Sequence, residues 1–222
     1  MFHFFKTPPK KIETTRIINE IETRIYSELK SFGFSKYGRT LHRFVDGDIS
    51  QVINFQCGQA YRNETHLMWV NVGIRVPECV LRSYNPEQPK KYYHEYECNL
   101  RSTLGEIKNK KAACYDLHND IEKIISDISK QIHQLVLPAF DILNSRSQIL
   151  KERKNYRKFD TTNSHLILLE EAMIYGKLGN VDTSAQLFNE YYKKCLNEKN
   201  PNFPHIQYLE GLAANLKIIL QA

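Results

Sequence analysis

No C-x-x-C pair occurs in this chain, and its 5 cysteines (Cys57, Cys79, Cys98, Cys114 and Cys195) are odd in number and widely spaced. That pattern argues against a disulfide framework. No run approaches the ~18 apolar residues that a bilayer-crossing helix needs. Behind the start, Met1 to Lys6, no apolar stretch of signal-peptide length follows a basic region. Free thiols without an export signal point to a reducing cytoplasm, and no membrane partner is expected. A glycine-rich phosphate loop is also missing, which removes the common nucleotide-binding signatures. Charge segregation is absent as well. The formal charge is +6; residues 1–143 hold 20 basic and 17 acidic groups, so residues 144–222 hold 31 − 20 = 11 and 25 − 17 = 8. Each part is therefore +3, whereas a dedicated nucleic-acid binder concentrates its cations on one element.

What is present is an ordinary globular composition, 41% hydrophobic, in a chain of 222 residues. That length can bury roughly 70% of its unfolded surface. Ile17, Ile18, Ile21, Ile25, Leu29 and Phe32 form one helical stripe, predicting a first helix over about 15–32 that Gly33 stops. Asp46-Gly47 separates two β-like runs, Arg39–Val45 and Asp48–Gln56, as a two-residue hairpin turn. In a third run Met68, Val70, Val72, Ile74 and Val76 alternate with Leu67, Trp69, Asn71, Gly73 and Arg75, the pattern of a central antiparallel strand. A fourth run, Tyr92 to Leu100, alternates Tyr92, His94, Tyr96 and Cys98 with Tyr93, Glu95, Glu97 and Asn99. The loop before it, over 77–91, carries Pro86, Pro89 and Lys90-Lys91.

From Asn119 the period becomes helical, with Asn119 and Glu122 as a capping box and Pro138 as a kink or stop near Leu137. Arg146 to Lys158 is basic and polar, expected as a solvated helix or linker. Three helices follow: one ending at Gly179-Asn180, one opened by Thr183 and Gln186, and one with Pro204 in its first turn. The spacing Ala172-x-x-Tyr175 to Phe188 resembles a tetratricopeptide hairpin. One such unit cannot bury its own face, so these helices are expected to pack on the preceding domain. The predicted class is α+β: a four-stranded antiparallel sheet packed by N-terminal and central helices, with a C-terminal three-helix extension. The expected division is 1–145 for the α+β domain, 146–160 for the basic linker or helix, and 161–222 for the extension.

Candidate chemistry is sparse. Strand alternation would put His94 opposite Glu95 and Glu97, which weakens a metal or acid–base site there. Cys114 and His118 have no third ligand at a matching interval, so no metal is expected. No cofactor is expected either. Thr103-Leu104-Gly105-Glu106 reads as a tight turn with a capping pair. Arg39, His42, Arg43, Arg75 and Arg101 would make a basic sheet surface if they shared a face. Trp69 is either an interface anchor or a residue packed under a helix.

Several fragments carry a resemblance. They are Leu29 to Lys36 with Gly38-Arg39-Thr40, then Gln51 to Gln56, Val70 to Ile74, Arg101 to Glu106, and Leu137 to Phe140. In this order they resemble the bacterial family called domain of unknown function 4304, over about residues 15–143. The resemblance implies a small cytoplasmic protein and assigns no activity or catalytic residue. The leading expectation is a non-catalytic protein-binding module, with a toxin-neutralising (immunity) role as its concrete version. The candidate binding residues are Arg39, Arg43, Trp69, Arg75 and Arg101. The alternatives are an enzyme using groups such as Glu106, Asp116 or His118 in a groove between sheet and helices, and a nucleic-acid binder using Arg146 to Lys158. The sequence does not determine an oligomeric state.

Overall fold

Ile18, Ile21, Ile25 and Leu29 recur at the helical interval and are all buried along α1 (Lys11–Leu29). The computed structural model to which this helix belongs describes residues 11–58, 66–80, 90–109, 114–159, 166–199 and 201–221. The first helix ends in a tighter turn, Lys30–Phe32, closed by Gly33 at φ 83°. The change of period swings Phe32 off the stripe to 41% exposure, and Phe34 takes the core position instead.

The sheet has six strands, not the four expected. β1 (Ser35–Tyr37), β2 (Thr40–Val45), β3 (Ile49–Cys57), β4 (Leu67–Arg75) and β5 (Leu100–Thr103) lie side by side in chain order. β6 (Tyr115–Asp116) pairs with the start of β4, and every pairing is antiparallel. Asp46 and Gly47, at φ 48° and 82°, make the predicted hairpin turn.

The fourth predicted strand is the main correction. Residues 92–98 do not join the sheet; His94 caps a short turn, Glu95–Glu97, whose Glu97 carboxylate accepts the His94 N–H at 2.8 Å. Asn99 then takes the Val76 N–H on its Oδ1 (3.0 Å) and donates through Nδ2 to the Cys79 carbonyl (2.7 Å). Only at Leu100, opposite Ile74, does pairing with β4 begin. The alternating aromatic residues before that point lie across the sheet as a strap.

The strap buries the second face of β4, which the sequence reads as merely mixed. Asn71, Gly73 and Arg75 are buried along with Val70, Val72 and Ile74. A Cβ on Gly73 would stand 2.7 Å from both Cβ and Sγ of Cys98, so only glycine admits the strap this close.

Thr103 and Glu106 form the expected cap of α2 (Leu104–Asn109): Glu106 N–H donates to Thr103 Oγ1 at 3.1 Å, and Thr103 N–H to Glu106 Oε2 at 2.8 Å. α3 (Ile121–Gln131) is capped one residue later than expected, by Asp120, whose carboxylate accepts the N–H groups of Glu122 and Lys123. A carboxylate there also meets the positive end of the helix dipole. A π-turn, Ile132–Val136, lets the chain continue past Pro138 into α4 (Leu137–Ile142). The extra residue in that turn accommodates the proline's lost donor and its ring.

α5 (Arg146–Glu152) and a tighter helical stretch, Arg153–Phe159, follow. The last helices are α6 (Leu166–Lys177), α7 (Val181–Leu196) and α8 (Phe203–Leu216). Asn180 rather than Thr183 caps α7, accepting the Thr183 N–H, and Pro204 sits in the first turn of α8 as predicted.

Two apolar clusters result. The main one joins α1, α3 and α4 to one sheet face and reaches Ile149, Phe159 and Ile174. The other gathers Leu169, Phe188, Tyr191, Leu209 and Ala213 from α6, α7 and α8. α6 contributes to both. Two buried arginines add polar ties, one from α5 to the β2–β3 turn and the stretch after β4, the other from the stretch after α5 to α6. Arg146 is held by Glu78 (2.7 and 2.8 Å), Asp48 (2.8 Å) and Asp46 (3.4 Å), and Arg153 is paired with Glu170.

Candidate protein-interaction surface

Residue parity assigns the exposed side chains of the sheet. In β2, Leu41 and Arg43 face the helices, while Thr40, His42 and Phe44 face the strap. Register carries the strap side across the sheet: His42 opposite Val52, Val52 opposite Gly73, and Gly73 opposite Arg101. The predicted basic sheet surface therefore divides. Arg75, Arg101 and Trp69 share the strap side. Arg43 sits on the other side, donating to Asp141 Oδ1 (2.7 Å), Gln51 Oε1 (2.7 Å) and the Phe32 carbonyl (3.0 Å). Arg39 lies half-buried in the β1–β2 turn, where its carbonyl accepts the Phe55 N–H at 2.9 Å. Arg75 is 4% exposed, with its guanidinium 3.8 Å from the Tyr93 ring centre. It holds the strap and presents little charge to solvent. Arg101 is exposed and Trp69 half-buried.

The strap side is instead dominated by rings in a continuous chain. Tyr37 stacks on Tyr92 (3.6 Å between centres), Tyr92 meets His94 (5.4 Å), and His94 stacks on Tyr96 (5.1 Å). From the sheet beneath, His42 contacts Tyr92 (6.3 Å) and Phe44 (5.8 Å), and Phe44 contacts Tyr93 (6.2 Å). Tyr37, Phe44 and Tyr96 are 54%, 43% and 50% exposed, so this ribbon reaches solvent along its length. The cations Lys91 and Arg101 are exposed on the same side. The 81–89 part of the preceding loop lies outside the described residues.

The strap is pinned by polar contacts. Burial opposes ionisation of Glu97, yet the Lys90 ammonium at 2.6 Å and the His94 N–H hold its carboxyl below the usual value. A shared hydrogen bond with Tyr37 raises the Tyr92 phenol. Burial lowers the His42 imidazole, against a smaller opposing effect of its hydrogen bond with the Lys91 backbone. His42 Nδ1 has no hydrogen-bond partner among the described residues.

Acid is expected to loosen this surface. The neutral His42 ring contributes fully above the ordinary imidazole value of about 6.5, and the contribution is lost as pH falls through the lowered folded value. The thermal midpoint of the native protein should fall more steeply below about pH 6.5 than that of His42→Gln. Parallel curves for the two proteins would remove His42 from this account.

The residues considered for catalysis do not assemble as a group. Glu106 is used in the α2 cap and accepts from Ser102 Oγ at 3.1 Å. Burial pushes the Cys79 and Cys98 thiols well up, so both stay protonated. Asp116 and His118 are paired at 2.8 Å, joined by His66 from 50 positions upstream of Asp116. Of the six cations between Arg146 and Lys158, Arg146 and Arg153 are buried in ion pairs.

Sequence reasoning missed Tyr37, Phe44, Tyr92 and Tyr96 as surface residues. The signal available was the ring density of Tyr92-Tyr93-His94-Glu95-Tyr96, which strand alternation absorbed. A family model described as "Domain of unknown function (DUF4304)" matches residues 25–142. No curated protein and no solved structure matches the chain.

Proposed function

The chain belongs to the DUF4304 family, and on that premise we propose that it is a protein-binding module whose contact surface is the aromatic ribbon over the second sheet face. The observation that carries this reading is the exposure of Tyr37 and Tyr96 at the two ends of one row of rings, with exposed Phe44 joined to it through His42. Tyrosine and phenylalanine combine a large apolar area with few rotatable bonds, and aromatic residues with arginine dominate interface energetics. The exposed cations Lys91 and Arg101 favour a partner with acidic residues around its apolar contact. In its most specific form the partner is a toxin that this surface blocks. No disulfide joins the five cysteines among the described residues, which fits work in a reducing cytoplasm. Nucleic-acid binding through 146–158 is less well supported, because Arg146 and Arg153 are spent on internal carboxylates.

The test uses a partner identified by affinity capture from the native host and then purified. Tyr37→Ala with Tyr96→Ala is expected to weaken its calorimetrically measured affinity by a factor of ten or more, about 1.4 kcal/mol or above. Both side chains are half exposed, so the variant should keep its thermal midpoint within a few degrees. Unchanged affinity in that folded variant would overturn the assignment. If the partner is a toxin, co-expression of the native chain restores growth and co-expression of the variant does not.

A further inference from the structure

We propose that His66, Asp116 and His118 bind a divalent first-row transition-metal ion. One ligand atom from each residue lies within 4.8 Å of those of the other two. His118 Nδ1 and Asp116 Oδ1 are already 2.8 Å apart. Neighbouring ligands on an octahedral ion with bonds of about 2.1 Å stand about 3 Å apart, and on tetrahedral zinc about 3.4 Å apart. Completing the set requires a turn of an imidazole; the His118 side chain is 53% exposed and has room to make it.

The ligands are carried on a backbone that fixes their approach. Leu67 pairs with Asp116 and Met68 with Tyr115, and the Leu117 N–H donates to the His66 carbonyl at 2.8 Å. A turn closed by Asn119 N–H on the Asp116 carbonyl (3.1 Å) brings His118 back over Asp116. The His118 N–H donates to Asp116 Oδ1 at 3.0 Å, which orients the carboxylate. Among the described residues the ion pair recorded for Asp116 is with the His118 imidazole. The His66 and His118 rings lie 4.9 Å apart between centres on the same side.

Two imidazoles with one carboxylate suit zinc, nickel, cobalt or iron(II), whereas magnesium and calcium take oxygen ligands. Three protein ligands leave at least one position for water. Such an ion cross-links the start of β4 to β6 across 50 residues of sequence. Nothing in this depends on the aromatic surface, which lies elsewhere on the sheet.

The test is calorimetric titration of chelator-treated full-length protein with Zn²⁺, Co²⁺ or Mg²⁺ alone, with the Co²⁺ complex followed by its visible absorption. One equivalent of Zn²⁺ or Co²⁺ is expected to bind saturably and raise the thermal midpoint, while Mg²⁺ does neither. His66→Ala and His118→Ala should each weaken Zn²⁺ binding by about tenfold or more, and Cys114→Ser should leave it unchanged. His118→Gln, at an exposed position, serves if an alanine variant fails to fold. The proposal is overturned by no saturable Zn²⁺ binding, by binding that survives the histidine replacements, or by binding that Cys114→Ser abolishes.

Discussion

Replacing Glu170 with alanine is expected to cost the folded state about 3–5 kcal/mol, because it removes one partner of a buried ion pair with the Arg153 guanidinium. Arg153 and Glu170 are 2% and 3% exposed and form an ion pair. Glu170 Oε1 also accepts from Asn99 Nδ2 at 3.5 Å, and its carbonyl accepts from the Cys79 thiol. One residue of α6 thus closes a network that includes the stretch after α5, the chain following β4, and the lead into β5. Urea denaturation provides the measurement. The midpoint should drop sharply, and the transition should split as α6 to α8, with their own apolar cluster, separate from the sheet before it melts. The double replacement Arg153→Met with Glu170→Leu should recover much of the loss, since an apolar pair of similar volume avoids the desolvation of both charges. A loss below about 1 kcal/mol for Glu170→Ala would place the pair in the class of solvated surface bridges and contradict its burial.

Gly73→Val should be nearly as damaging, for a steric reason. A first side-chain carbon there already falls 2.7 Å from Cys98 Cβ and Sγ and 3.3 Å from the Leu100 carbonyl. Valine adds two more methyl groups beneath the strap. Overpacking of this kind costs about 1–3 kcal/mol or more, and the strap yields first because β4 is paired on both sides. Displacement of the strap uncouples Arg75 from the Tyr93 ring and Tyr92 from Tyr37, so any partner held by the aromatic ribbon should be released as well. Chemical denaturation and partner titration on one protein sample check both effects. Gly73→Ala with unchanged stability would show that the strap does not press on β4 as described.

Much of the fold was legible because its determinants are local. Asp46-Gly47 announces a turn with two positive φ values, and Thr103 with Glu106 announces a cap, since both requirements involve only the residues that meet them. Met68 to Val76 shows a period of two and forms a central strand. The fourth strand failed for the complementary reason. Tyr92 to Cys98 has the same alternation, but ladder pairing with β4 begins only where Leu100 comes opposite Ile74. Periodicity reports which side chains share a side; it does not report whether the backbone between them finds a ladder.

The candidate surface was less legible than the fold. Arg43 and Arg75 look alike in the sequence, yet β2 turns one toward Asp141 on the helix side and β4 turns the other under Tyr93. Arg146 and Arg153 read as part of a solvated basic run, and only the approach of Glu78, Asp48 and Glu170 converts them into buried ties. His66 gave no signal beside Asp116 and His118, because it lies 50 and 52 positions upstream of them.

By itself the sequence determined the class of this protein: an antiparallel sheet backed by amphipathic helices, with a helical C-terminal part and thiols in no recognisable pairing pattern. Those properties follow from periodicity, caps and turns that act over a few residues. Tertiary structure alone decided which sheet face the strap covers, which arginines are internal, and which rings and imidazoles meet. These depend on pairings between distant segments, where the free energy belongs to a contact and to neither residue alone.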